Sequence, residues 1–258
     1  MSARIGSRSG NKAQVRAPLR RLSRWSRARR SVGARLSPQA LPLLAAVALF
    51  VVWAQRDAGY FITTWGPGAL LLLGLLAVTA LALGVRPGGL PPAVRVAAVM
   101  LAAFTAWSFL SILWADDRGE AWIGADRTLV YLLVLLLFAG WRQRGGDAAL
   151  VLGGWTLAIV GLALVAFLSA TVGETPLAAY FLDRLADPAG YPNAAAATWL
   201  MALWPAIALA GRPEVPWWLR GPLAGGAVIL VHTALLSQSR GALLSLPIAL
   251  AVFLALGP

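Results

Sequence analysis

From Leu41 to the end, the chain is a succession of Leu- and Ala-rich apolar runs separated by short polar, Pro- or Gly-containing breaks. The runs fall near residues 41–54, 67–85, 93–114, 128–140, 148–172, 194–210, 222–237 and 242–256. None alternates with period two, and most exceed the roughly 10-residue strands of a membrane barrel, so the pattern predicts helices. Crossing the hydrocarbon takes roughly 20 residues, and the runs at 41–54, 128–140 and 222–237 need flanking residues, tilt or protein neighbours to cross. The expectation is an all-α, polytopic bundle of about eight transmembrane helices at 38–258, one domain without internal repeat, preceded by a tail at 1–37.

Composition supports lipid as the solvent. Of 258 residues, 59% are hydrophobic and only 12% charged, with mean hydropathy +0.74, too few charges to cover a soluble domain of this size. There is no Cys and a single His, which removes disulfides, thiol nucleophiles and all-His metal sites; no cofactor is indicated.

The net charge of +12 would suggest nucleic acid, but its location argues otherwise. Eleven of the 22 basic residues precede Ser37, in a stretch without acids that is interrupted by Pro18, Ser and Gly. Such a tail reads as a disordered cytoplasmic anchor drawn to anionic lipid, in preference to an RNA-binding arm. Arg20-Arg21 and Arg29-Arg30 resemble twin-arginine export signals, yet no small-residue cleavage site follows the first run, which favours its retention as a membrane helix.

Loop charge then orients the chain. With the tail inside, the even-numbered connections carry Arg86 and Arg95, Arg142 and Arg144, and Arg212 and Arg220, against Asp147 and Glu214. The odd-numbered ones hold the acids: Asp57 with Arg56; Asp116, Asp117, Glu120 and Asp126 with Arg118 and Arg127; Glu174, Asp183 and Asp187 with Arg184. This is the positive-inside pattern with a cytoplasmic N-terminus, and only Ser239-Arg240, a basic external turn, departs from it. Trp53, Trp65, Trp107, Trp114, Trp122 and Trp141 lie near run ends, where interfacial anchors are expected.

Two segments carry candidate chemistry. In Arg184-Leu-Ala-Asp-Pro-Ala-Gly-Tyr-Pro-Asn193, Pro192 holds the chain extended and Asn193 is placed to cap the next helix, whose four alanines permit close packing. That helix entry, together with Arg184, also makes an anion site. In Ser237-Gln238-Ser239-Arg240-Gly241, an arginine sits between two apolar runs with almost no loop, either snorkelling to water or serving a polar site with Ser239 and Gln238. His232, about two turns earlier, is a proton carrier or a partner for a neighbouring helix.

At these residues the chain resembles the O-antigen ligase and polymerase family of polytopic enzymes. The Arg184 to Ala197 pattern with Gly-Tyr-Pro-Asn and poly-Ala is similar to that family's loop-to-helix entry, and Ser239-Arg-Gly-Ala-Leu-Leu244 to its Ser-Arg-Gly helix start. Leu113-Trp-Ala-Asp116, with Arg127 and Tyr131, is similar to an earlier family pattern. The resemblance implies transfer of a glycan from an undecaprenyl-pyrophosphate carrier to an acceptor hydroxyl at the outer face of a bacterial cytoplasmic membrane, in cell-surface polysaccharide biosynthesis, lipopolysaccharide being one such product. Arg184 and Arg240 would stabilise the leaving pyrophosphate, with Tyr191, Asn193, Ser239 and, more weakly, His232 binding substrate. Family members continue into a large external loop with a His and further Arg, whereas this sequence stops at Pro258, so the expectation is the front part of such an enzyme, completed by further chain or a protein partner. The alternatives are a non-catalytic subunit of an envelope complex and a small-solute transporter; the scarcity of midplane charge and of repeats speaks against the latter.

Overall fold

In the computed structural model, residues 37–84 and 90–256 are described; the basic tail and the connection holding Arg86 lie outside them. The described residues form eight α-helices: α1 Ala40–Ala54, α2 Ile62–Leu83, α3 Pro92–Ser111, α4 Arg118–Ala139, α5 Gly145–Val172, α6 Pro192–Ala210, α7 Trp217–Leu236 and α8 Arg240–Leu256. Six of them, α2 to α7, are long and apolar enough to cross a membrane by length and composition, α3 together with the 3-10 turn Ile112–Trp114 that continues it. At 1.5 Å per residue the 15 residues of α1 reach about 22 Å, short of a hydrocarbon core of about 30 Å.

Several helices start earlier than hydropathy predicts, because a helix is continued by hydrogen bonds and caps and not by apolarity alone. The run at 128–140 belongs to α4, which begins ten residues sooner at Arg118. Asp117 caps it, its carboxylate accepting from the Glu120 amide at 3.0 Å, so Glu120, Asp126 and Arg127 lie on the helix and not in the preceding loop. Proline opens α3 and α6 at a position whose missing N–H costs nothing, while Pro67, Pro205, Pro222 and Pro247 lie inside helices.

Two cores join the bundle. The first packs α5, α6 and α7 along a seam of small residues, Ala163, Ala166, Ala195, Ala202, Ala206, Ala227 and Ala234, around the fully buried Trp199 and Leu230. Small side chains let the helix axes approach, the usual basis of contact between membrane helices. At the closest point the two methyls of Val160 press on Gly226, and a Cβ there would meet both at 2.7 Å. The second core joins α1, α2, α4 and α5 through Leu43, Val47, Trp65, Leu72, Val130, Leu137 and Val151. Trp65 is 6% exposed and Trp53 lies over Gly68, so these two tryptophans are packing residues and not interfacial anchors. Trp107, Trp114 and Trp122 stand exposed.

The contacts sort the helix ends. At one end Arg127 Nη2 donates to the Tyr60 carbonyl at 3.0 Å, the Asp57 carboxylate lies against Gly190, and Arg184 reaches Ser237. At the other, Trp141 Nε1 donates to the Gly84 carbonyl at 2.9 Å and the Ser37 amide to the buried Asp147. The connection holding Asp57 and the one holding Asp183 and Asp187 therefore meet at one end.

Candidate functional site

Between α5 and α6 the chain makes a two-residue hairpin. Tyr180–Phe181 pairs with Arg184–Leu185 in antiparallel register, Phe181 opposite Arg184. The connecting Leu182 and Asp183 both have positive φ, 50° and 59°, the geometry that suits the twist of paired strands. Leu185 is fully buried, and Ala186 and Ala189 nearly so, which anchors the segment onto the helices below. The amides of Ala186 and Asp187 both donate to the Ala179 carbonyl, at 3.0 and 3.2 Å.

That anchorage aims Arg184. Its Nε donates to the Ser237 carbonyl at 3.2 Å and its Nη2 to Asn193 Oδ1 at 3.0 Å. Ser237 is the C-terminal cap of α7, so a guanidinium meets the negative end of that helix. Asn193 Nδ2 in turn donates to the Tyr191 hydroxyl at 2.9 Å. Asn193 is thus not the cap of α6: Tyr191 occupies that position, without a side-chain capping bond, and the Asn193 side chain is engaged by Arg184 and Tyr191. The helix entry has traded a cap for a side-chain network.

The second segment arrives at the same place from α7. Gln238 has φ 45°, which turns the chain between α7 and α8, and its Nε2 donates to the Asp183 carbonyl at 3.3 Å. Ser239 is buried and its Oγ accepts from the Ala242 amide at 3.2 Å, capping α8. Arg240 is the first residue of α8 and is exposed. Of the six residues singled out by sequence, Arg184, Tyr191 and Asn193 form one hydrogen-bonded chain that Arg184 extends to Ser237, two residues before Ser239. His232 stands apart, exposed, with its ring edge-on to Phe167 at 5.2 Å.

Asn193 and Ser239 border an open groove of about 480 Å³ between α6 and α8. Its α6 wall is the stripe Asn193, Ala197, Leu200, Met201 and Trp204, and its α8 wall is Gly241, Ala242 and Ser245. The groove is polar where the two helices begin and apolar along its α6 wall beyond Asn193, with Ser245 on the α8 side. Hydropathy hides it, because every α6 residue of the stripe after Asn193 reads simply as membrane helix. The visible signal is the three- and four-residue spacing of that stripe, which places its members on one helix face.

A second cavity, about 280 Å³, lies at the end of α5 and is lined by Ser169, Gly173, Glu174, Thr175, Ala178, Ala179 and Asp187. Asp187 is half-buried, and desolvation raises its carboxyl above the usual carboxylate range. A third arginine, Arg127, is stacked against the Tyr60 and Trp65 rings, 5.4 and 5.9 Å from their centroids. No family model, curated protein or solved structure matches the chain.

Proposed function

We propose that the protein is an O-antigen-ligase-like membrane protein that transfers, or helps to transfer, a glycan from an undecaprenyl-pyrophosphate carrier to an acceptor hydroxyl. The observation that carries this reading is the bond pair from Arg184 to Ser237 and Asn193, which joins the two resembling segments at the mouth of an amphipathic groove. A lipid pyrophosphate has two parts that such a place suits. Its isoprenoid chain needs an apolar trough, which Leu200, Met201 and Trp204 line. Its pyrophosphate needs fixed cations and donors, and arginine is the side chain best matched to phosphate oxygens.

In this reading all eight helices lie in a bacterial cytoplasmic membrane, with α1 and α8 tilted or supported by neighbours, the N-terminus cytoplasmic and the Arg184 end facing outward. The acceptor oxygen bonds to the anomeric carbon of the donor sugar, the bond from that carbon to the pyrophosphate oxygen breaks, and its electron pair departs with the pyrophosphate. Arg184 and Arg240 stabilise the charge that develops there, with Tyr191, Asn193 and Ser239 orienting the donor. The reading is tested in membrane vesicles from producing cells deleted for the gene, which retain native donor and acceptor lipids. Adding back purified protein is expected to release undecaprenyl pyrophosphate and lengthen or attach glycan, and R184Q with R240Q to abolish both. Equal activity of the double variant and the wild type would overturn it.

A further inference from the structure

The cavity at the end of α5 is not used by the donor reading, and it differs from the groove in kind. Two hydroxyl residues, Ser169 and Thr175, and two carboxylate residues, Glu174 and Asp187, line it, with Gly173, Ala178 and Ala179. Hydroxyl and carboxylate side chains bind sugar hydroxyls, whereas a pair of carboxylates disfavours a phosphate by like charge. The segment from Arg184 to Asn193 borders both spaces, contributing Asp187 to this cavity and Asn193 to the groove. Resting on the transfer reading above, we propose that this cavity seats the hydroxyl of a carbohydrate acceptor and that the Asp187 carboxylate takes its proton.

Three features support the assignment. The Asp187 backbone is fixed, its amide bonded to the Ala179 carbonyl and its neighbours Ala186 and Ala189 buried. Among the described residues no donor reaches its carboxylate, which leaves that group open to an acceptor O–H. Burial raises its proton affinity, as a base working against a weakly acidic hydroxyl requires. The proton then leaves the acceptor as its oxygen bonds to the anomeric carbon, while the bonding electrons of the donor depart with pyrophosphate beside Arg184. Glu174 is the other titratable group lining the cavity; Arg184 is engaged with Ser237 and Asn193, and Asp57 lies against Gly190.

The test uses the same deletion vesicles with D187N, D187E and E174Q, and in parallel the binding of geranylgeranyl pyrophosphate to each purified variant by native mass spectrometry. D187N is expected to lower glycan transfer about 100-fold or more, the usual worth of a positioned base, with pyrophosphate binding unchanged within about twofold. Transfer by the wild type should fall on acidification along a limb that E174Q keeps and D187N loses, and D187E should recover part of the rate. Transfer by D187N at the wild-type rate and with the wild-type pH profile would overturn the proposal while leaving the transfer reading intact. So would a parallel loss of transfer and pyrophosphate binding, which would place Asp187 with the donor. A wild-type protein that transfers nothing would overturn both.

Discussion

Removing the Arg184 guanidinium tests whether the hairpin, α6 and α7 are joined by the bonds described. Arg184→Ala deletes two charge-assisted hydrogen bonds, each worth about 1.5–3 kcal/mol when shielded. The bond to Asn193 is exposed and is discounted to about 1 kcal/mol, whereas the bond to Ser237 is partly buried and keeps the lower end of that range. R184A should therefore destabilise by about 2–3 kcal/mol, and Asn193→Ala, which also loses Tyr191, by about 1–2 kcal/mol. The double variant should lose about 1 kcal/mol less than the sum of the two, because the shared bond is removed only once. Reversible unfolding in mixed detergent–SDS micelles, followed by circular dichroism, measures all four corners of the cycle. Hydrogen exchange at residues 237–239 should rise in R184A, since the cap of α7 loses its cation. Single-variant losses that add within about 0.3 kcal/mol would refute the connection.

Gly226→Ala places a methyl 2.7 Å from both Val160 methyls, and a β-branched side chain has no free rotamer to escape into. Overpacking of about 1–3 kcal/mol then exceeds the gain of about 1 kcal/mol in helix propensity, while Gly161→Ala on α5, with nothing within 4 Å, should stabilise; the same unfolding assay gives opposite signs. Asp187 binds its proton more tightly in the folded protein than in the unfolded chain, so its contribution to stability falls as pH rises from its ordinary value of 3.8 to its raised folded value, then levels. D187N should flatten that segment of the stability–pH curve, and an unchanged curve would contradict the desolvation. Ala197→Trp fills the groove one turn beyond Asn193 and should weaken geranylgeranyl pyrophosphate binding at least tenfold while leaving the circular dichroism spectrum unchanged.

The helical class and the order of the apolar segments are legible because lipid-facing helices are apolar all round, which hydropathy detects without knowing any partner; of the expected eight spans, six helices are long and apolar enough to cross a membrane. Helix starts were not, since Arg118 to Arg127 are helical through a cap and backbone bonds that an apolar run does not register. The hairpin at Leu182-Asp183 lacks the Asn-Gly or Asp-Gly signal of such turns; its positive φ values are imposed by the packing of Leu185 and the strands it joins. Arg184 and Asn193 were legible as chemistry, but Arg184 and Ser237 are 53 residues apart and no spacing rule brings them together. Asn193 looked like a cap because its position after Pro192 fits one; a charged donor nearby outcompetes a backbone amide for the same oxygen. In the sequence Asp187 is only a loop charge, because burial of a loop carboxylate depends on tertiary contacts with the end of α5.

On the proposed function, the Arg184 end of the bundle, with its groove, holds a lipid pyrophosphate. The most direct measurement is the affinity of the protein in lipid nanodiscs for geranylgeranyl pyrophosphate against geranylgeraniol, for wild type and for R184Q/R240Q. Wild type is expected to prefer the pyrophosphate at least tenfold and the double variant to bind the two alike. Equal affinity of the wild type for both lipids, or a preference that survives the double substitution, would contradict it.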